Sequence, residues 1–138
     1  MIAFLDASAL IYLVDGEAQW AEATQATLQQ LAVGAPDLTL AVSRLSVLEC
    51  RVAPLRRGDQ ASLERFEALF AKPDLLVVEL SASVVELATQ LRAKHRLRTP
   101  DALQAACCLE LGPEAVMITG DAGFQRVRAL QVCLIAGA

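Results

Sequence analysis

Four acidic residues occupy positions that a folded sheet could exploit: Asp6, Glu49, Asp101 and Asp121. Asp6 ends the apolar run Met1-Ile2-Ala3-Phe4-Leu5, and Asp121 comes two residues after Thr119, which closes a second apolar run. Asp101 directly follows Pro100, and Glu49 lies within a segment that starts at Ser43. Each has a plainer explanation when taken singly. Asp6, Asp101 and Asp121 could cap helices and complement their dipoles, and Glu49 could be a solvated helical glutamate. Together they could do chemistry. Converging carboxylates repel one another unless cations neutralise them, and an all-oxygen set suits Mg²⁺ or Mn²⁺, which keep waters and accept phosphate oxygens. The reaction such a site would serve is phosphodiester hydrolysis, with an activated water attacking in line and the ion stabilising the charge at phosphorus.

Convergence requires particular elements. Apolar runs over residues 1–5, 38–42, 75–80, 115–119 and 130–135 predict strands. Helical spacing predicts helices over 8–14, 17–32, 44–52 and 60–71. In the third of these, Leu45, Leu48 and Val52 form the expected apolar face, and Pro54 is expected to end or kink it. Ser83 and Glu86 have capping-box spacing and open a further helix. Thr99, as N-cap before Pro100, opens another that runs to about Leu111. A short helix is expected at 124–127.

Strands alternate with helices and no linker or repeat intervenes. The expectation is a single domain over 1–138, a three-layer α/β/α sandwich around a mainly parallel sheet of four to five strands. The right-handed crossover rule then puts Asp6 and Asp121 at one sheet edge, where α/β sheets bind ligands. Glu49, a turn or two into the helix leaving the second strand, and Asp101, at the start of its helix, can reach the same edge.

Bulk properties narrow the class. A chain of 138 residues that is 55% hydrophobic can bury a core without disulfides. It has no basic leader, and no run approaches the roughly 18 apolar residues of a membrane span, so a cytoplasmic location is expected. Cys50, Cys107, Cys108 and Cys133 form no CxxC pair, and His95 is the one histidine, so reduced thiols are expected rather than zinc. A receiver domain would need an acidic pair after the first strand, and an aspartyl phosphatase a second acid where Ser8 stands. A dinucleotide fold would need GxGxxG, which is absent.

Four phrases carry a resemblance: Leu5-Asp6-Ala7-Ser8-Ala9-Leu10, Ser43 through Glu49, Thr99-Pro100-Asp101-Ala102, and Thr119-Gly120-Asp121-Ala122-Gly123-Phe124. In this order and spacing they resemble the signature blocks of PIN-domain nucleases, above all the VapC-type toxin ribonucleases of bacterial toxin–antitoxin pairs. The resemblance implies that Asp6, Glu49, Asp101 and Asp121 form an acidic Mg²⁺ or Mn²⁺ pocket, with Ser8 and Thr119 as supporting hydroxyls. It implies an endoribonuclease, commonly a homodimer, held inactive by an antitoxin protein that lies across the pocket. The hydrophobic excess fits a dimer and an antitoxin groove lined by the early helices. Gly123 stands where some relatives carry another acid, and Gly120 where Asn is frequent.

Net charge is −4, which alone argues against nucleic acid, but the basic residues are clustered. Arg92, Lys94, Arg96 and Arg98 lead into Asp101, and Arg44 and Arg51 flank Glu49. Phosphate contacts from these six could hold RNA across the acidic centre. His95 is expected at the surface, because a metal-activated water needs no histidine base. The alternative is a catalytically silent PIN-like module, an RNA-binding or protein-interaction scaffold; the complete acid set argues against it.

Overall fold

The structure, a computed structural model, describes residues 1–136. Five strands form one sheet: β1 (Ile2–Leu5), β2 (Thr39–Ser43), β3 (Leu76–Val78), β4 (Ala115–Thr119) and β5 (Val132–Leu134). Their order is β3-β2-β1-β4-β5 and every neighbouring pair is parallel. Six helices cover it: α1 (Ala7–Asp15), α2 (Ala18–Gly34), α3 (Arg44–Arg57), α4 (Gln60–Phe70), α5 (Ala82–His95) and α6 (Thr99–Glu110). A 3₁₀ turn spans Ala122–Arg126.

Alternation along β1 explains the layering. Ala3 and Leu5 face a core that holds Leu10 of α1, Cys50 of α3 and Phe66 of α4. Phe4 faces a core that holds Val84 and Leu91 of α5, Ala105 of α6 and Met117. A strand buried on both faces reads as a continuous apolar run, which is why the first residues carry no polar alternation. The chain builds β1, β2 and β3 outward in one direction, then returns to place β4 on the other side of β1. The strand order therefore reverses at β1 and β4, the position at which α/β sheets open a crevice beyond their C-terminal ends. Asp6 and Asp121 follow those two strands.

Several expected boundaries and faces move. The edge strands β3 and β5 are three residues each rather than six, since each has one neighbour to pair with. Helix α3 runs through Pro54 to Arg57 instead of stopping near Val52. The proline ring is buried, and the helix ends at Gly58, whose φ of 65° lets its amide reach back to the last carbonyls. The buried face of α3 is Ser46, Val47, Cys50 and Pro54; Leu48 is exposed, against the expected Leu45-Leu48-Val52 stripe. Helix α5 opens two residues early, because Ser81 accepts the Val84 amide at 3.2 Å. The Ser83–Glu86 box therefore does not form, and the Ser83 hydroxyl donates to Glu110 instead. Arg98 rather than Thr99 is the cap residue of α6, and Thr99 is already helical.

All four cysteines are free. Burial pushes the thiols of Cys50 and Cys108 up to about 12 and that of Cys107 up to about 11, so none of these three is a ready thiolate.

Candidate active site

Asp6 is the most enclosed acid of the site, 5% exposed at the C-terminal end of β1. Its extended backbone makes it the N-cap of α1, and its Oδ1 accepts the Ala9 amide at 3.0 Å. The capping role is thus real, but it uses only part of the carboxylate. The Ser8 hydroxyl donates to Oδ1 at 2.7 Å and the Thr119 hydroxyl donates to Oδ2 at 2.6 Å. A carboxylate offers about four lone-pair positions; these three bonds leave one, on Oδ2.

The two hydroxyls also tie the end of β1 to the end of β4. Ser8 Oγ accepts the Gly120 amide at 3.1 Å, and Thr119 Oγ1 accepts the Asp121 amide at 3.0 Å. Asp121 caps the 3₁₀ turn through Oδ1, which accepts the Gly123 amide at 2.8 Å. A Cβ on Gly120 would lie 2.8 Å from the ring of Tyr12, which stacks on Trp20 at a centroid distance of 5.1 Å. That ring occupies the space a residue-120 side chain would need.

Glu49 lies in the second turn of α3 and is held from α6. Gln104 Nε2 donates to Glu49 Oε1 at 3.1 Å and to Ser46 Oγ at 2.9 Å, while Gln104 Oε1 accepts the Ser43 hydroxyl at 2.8 Å. Gln104 is buried, as are Ser43 and Ser46, and among the described residues no buried side-chain polar atom lacks a partner. Sequence reasoning passed over Gln104. The signal was available: it follows Asp101 by three positions, hence on the same helix face, and it is the one amide within the run Ala102 to Cys108. Asp101 itself sits in the first turn of α6, with Arg98 Nε at 3.5 Å.

The carboxylates at this edge act on one another. Burial raises the Asp6 carboxyl above its ordinary range against its three donors, and the charge of Asp121 adds to the rise. Burial likewise raises Glu49 against the Gln104 bond, with Asp101 and then Asp6 adding. The four acids thus share one electrostatic neighbourhood. Among the described residues, no three His, Cys, Asp or Glu side chains are grouped closely enough to form a preset ligand shell. The donor chemistry nevertheless fits a hard divalent cation. It is all oxygen, and Mg²⁺ is commonly held by one or two carboxylates with water completing its shell.

The basic residues divide. Arg44 forms a two-pronged pair with Glu79 (2.8 and 2.6 Å), and Arg51 with Glu67 (2.6 and 2.9 Å). Arg92 donates to the Leu97 carbonyl at 2.6 Å, and Lys94 is exposed on α5. Arg96 and Arg98 reach a cavity of about 260 Å³ that Asp101 and Asp121 also line, and there they meet Arg126, another residue passed over in the sequence. His95 is half-buried.

The PIN domain family model matches residues 3–130. The chain belongs to the PIN-domain family. This PIN domain shares its fold with solved structures of low identity. VapBC2 of Rickettsia felis, bound to a DNA fragment from its promoter, is 18% identical at a TM-score of 0.76, covering 97% of this chain and 98% of the other. VapBC-1 of nontypeable Haemophilus influenzae is 21% identical at 0.73, covering 96% and 97%. Mycobacterium tuberculosis VapC20, a sarcin–ricin loop cleaving toxin, is 18% identical at 0.65, covering 86% and 91%. None of the curated proteins matches the chain.

Proposed function

We propose that this PIN domain is a Mg²⁺- or Mn²⁺-dependent endoribonuclease and the toxin member of a toxin–antitoxin pair. The observation that carries the reading is the seat of Asp6. A buried carboxylate, raised by burial and by Asp121, is expensive to keep in the fold unless a cation uses it. Here it is fixed by Ser8 of α1 and Thr119 of β4.

Asp6, Glu49, Asp101 and Asp121 would hold the cation, directly or through water. When bound, it activates a water and offsets the charge gathering on the phosphate. The chain's own contribution is order. Ser8, Ala9 and Thr119 remove the rotational freedom of Asp6. Gln104 does the same for Glu49, so little reorganisation is needed when charge develops. RNA as substrate is supported by the fold shared with VapC20. An antitoxin partner is supported by the fold shared with VapBC pairs, and Leu48 and Leu55, both exposed on α3, provide apolar surface for a protein partner. A homodimer would cover the apolar groove between α5 and α6, where Val85, Ala93 and Leu103 line a cavity of about 710 Å³. Among the described residues no helix is long and apolar enough to cross a membrane.

The test is incubation of the purified chain with RNA in Mg²⁺ or Mn²⁺. Cleavage that stops on chelation and returns on adding metal supports the reading. RNA left intact in both metals refutes it.

A further inference from the structure

The cavity beside Asp101 and Asp121 has a second wall that the metal pocket does not need. Arg96, Arg98 and Arg126 line it, together with Leu97, Gly123 and Phe124. Three arginines and two aspartates thus line a space of about 260 Å³, smaller than the roughly 300–1,000 Å³ of drug-sized sites. It can take one phosphodiester with part of its sugar, not a folded ligand. Two of the three arginines of this wall are spare. Arg96 and Arg126 have no ion pair among the described residues, and the Arg98 side chain is 83% exposed with Asp101 at 3.5 Å. Arg44 and Arg51, by contrast, are already committed to Glu79 and Glu67.

The backbone adds an independent observation. Arg96 is the C-cap of α5 at φ 54°, the one non-glycine residue with positive φ among those described. This is the position where a helix ordinarily ends on glycine, because a Cβ there is strained. The strained turn is held in place by Arg92, which donates to the Leu97 carbonyl at 2.6 Å. A side chain kept where glycine is favoured points to a use for that side chain, and this one stands between the α5–α6 groove and the cavity beside the acids, lining both.

We propose that Arg96, Arg98 and Arg126 form a phosphate subsite that holds an RNA backbone phosphate next to the one being cut. The proposal rests on the ribonuclease reading for the identity of its ligand. Arg126 comes from the turn after β4 and Arg96 and Arg98 from the α5–α6 connection, so the three clamp a phosphate from two sides. Arginine suits this task because its planar fork pairs with two phosphate oxygens at once. With a cation among the acids, the same strand would run from the acidic pocket onto the arginine wall, which explains how a chain of net charge −4 engages RNA.

The experiment is fluorescence anisotropy with a labelled single-stranded 12-mer RNA of mixed sequence in Ca²⁺, across a salt series, with RNA integrity checked on a gel. Arg126→Gln and Arg96→Gly are each expected to weaken binding several-fold and to flatten the log–log salt slope by about 0.7, the value for one phosphate contact on a single strand. The Lys72→Gln variant, at an exposed position before β3 and so at the opposite edge of the sheet, should stay within about twofold of wild type. Arg96→Gly should melt at or above wild type, because glycine relieves the left-handed turn; a merely structural Arg96 would melt lower and leave RNA affinity unchanged. Inorganic phosphate should compete only weakly. Wild-type affinity and slope in both Arg96→Gly and Arg126→Gln would overturn the subsite, as would an absence of RNA binding by the wild type. Weakened binding in these variants without cleavage by the wild type in Mg²⁺ or Mn²⁺ would keep the subsite and remove the nuclease reading. Cleavage with unchanged affinity would do the reverse.

Discussion

Thr119 and Asp6 are 113 positions apart in the chain and in direct contact across two adjacent parallel strands: Thr119 Oγ1 donates to Asp6 Oδ2 at 2.6 Å. The same hydroxyl oxygen accepts the Asp121 amide at 3.0 Å. One side chain therefore sets the orientation of the first acid and the backbone of the last. Thr119→Val keeps the shape and removes both bonds. It leaves a buried carboxylate oxygen and an amide short of partners, which should cost about 1–3 kcal/mol in urea unfolding. RNA cleavage should fall at least about tenfold, the scale for groups that orient metal ligands.

Gln104 gives a second test of the same idea on Glu49. Gln104→Leu fits the volume but removes the bonds to Ser43, Ser46 and Glu49 Oε1, leaving the two serines bonded only to each other. Unfolding should show a loss of about 1–3 kcal/mol, and Mn²⁺ affinity should drop about 10-fold, as for removal of a group that orients a ligand. Stability lost with Mn²⁺ affinity unchanged would make Gln104 a packing residue alone.

The pH dependence has a definite sign. An acid whose folded value is raised binds its proton more tightly in the folded state, so stability falls as pH rises through and above the ordinary carboxylate range. Asp6 and Glu49 act in this direction. Asp15, held low by Ser62 and then by Arg57 and Arg65, and Glu67, held low by Arg51, act in the other. The clean observable is the difference between wild type and Asp6→Asn without metal. Near pH 3.8, the ordinary aspartate value, the two should melt closely together. Toward pH 7 the wild type should fall below the variant, and added Mg²⁺ should restore the wild type selectively. A gap that does not change with pH would contradict the assignment.

Gly120 tests the packing that supports the site. Gly120→Asn pushes a side chain into Tyr12 at 2.8 Å. Overpacking of this kind costs about 1–3 kcal/mol, measurable by thermal or urea unfolding. In a Tyr12→Ala background, which vacates that space, the same substitution should cost less.

The fold was legible in the sequence because its signals were strong: apolar runs ending in turns, and helical periodicity between them. β1 read correctly from five residues, since burial on both faces removes polar alternation. The misread places share a cause, which is that local patterns were overridden by tertiary partners. Pro54 stays helical because its ring is buried and Gly58 supplies the stop. Ser83 bonds Glu110 of α6, while Ser81 takes the capping role. The Leu48 side of α3 points outward because the opposite side bonds Gln104 through Ser46. Asp6, Asp101 and Asp121 could be placed from the sequence for a similar reason to the strands, as each stands at an element boundary, whereas Glu49, in the second turn of α3, was placed through the helix that follows β2. Gln104 and Arg126 were not, because their roles exist only once α6 lies beside α3 and the β4 turn beside the α5–α6 connection.

The most direct measurement is a Mn²⁺ titration followed by electron paramagnetic resonance, with RNA cleavage assayed on the same samples of wild type, Asp6→Asn, Glu49→Gln, Asp101→Asn and Asp121→Asn. The expected result is that the wild type binds Mn²⁺ and cuts, and that ion binding and cleavage decline together in the variants, most steeply in Asp6→Asn and Asp101→Asn. Variants that bind Mn²⁺ as tightly as wild type, or a wild type that cuts RNA equally well in excess chelator, would contradict a cation held by these four acids.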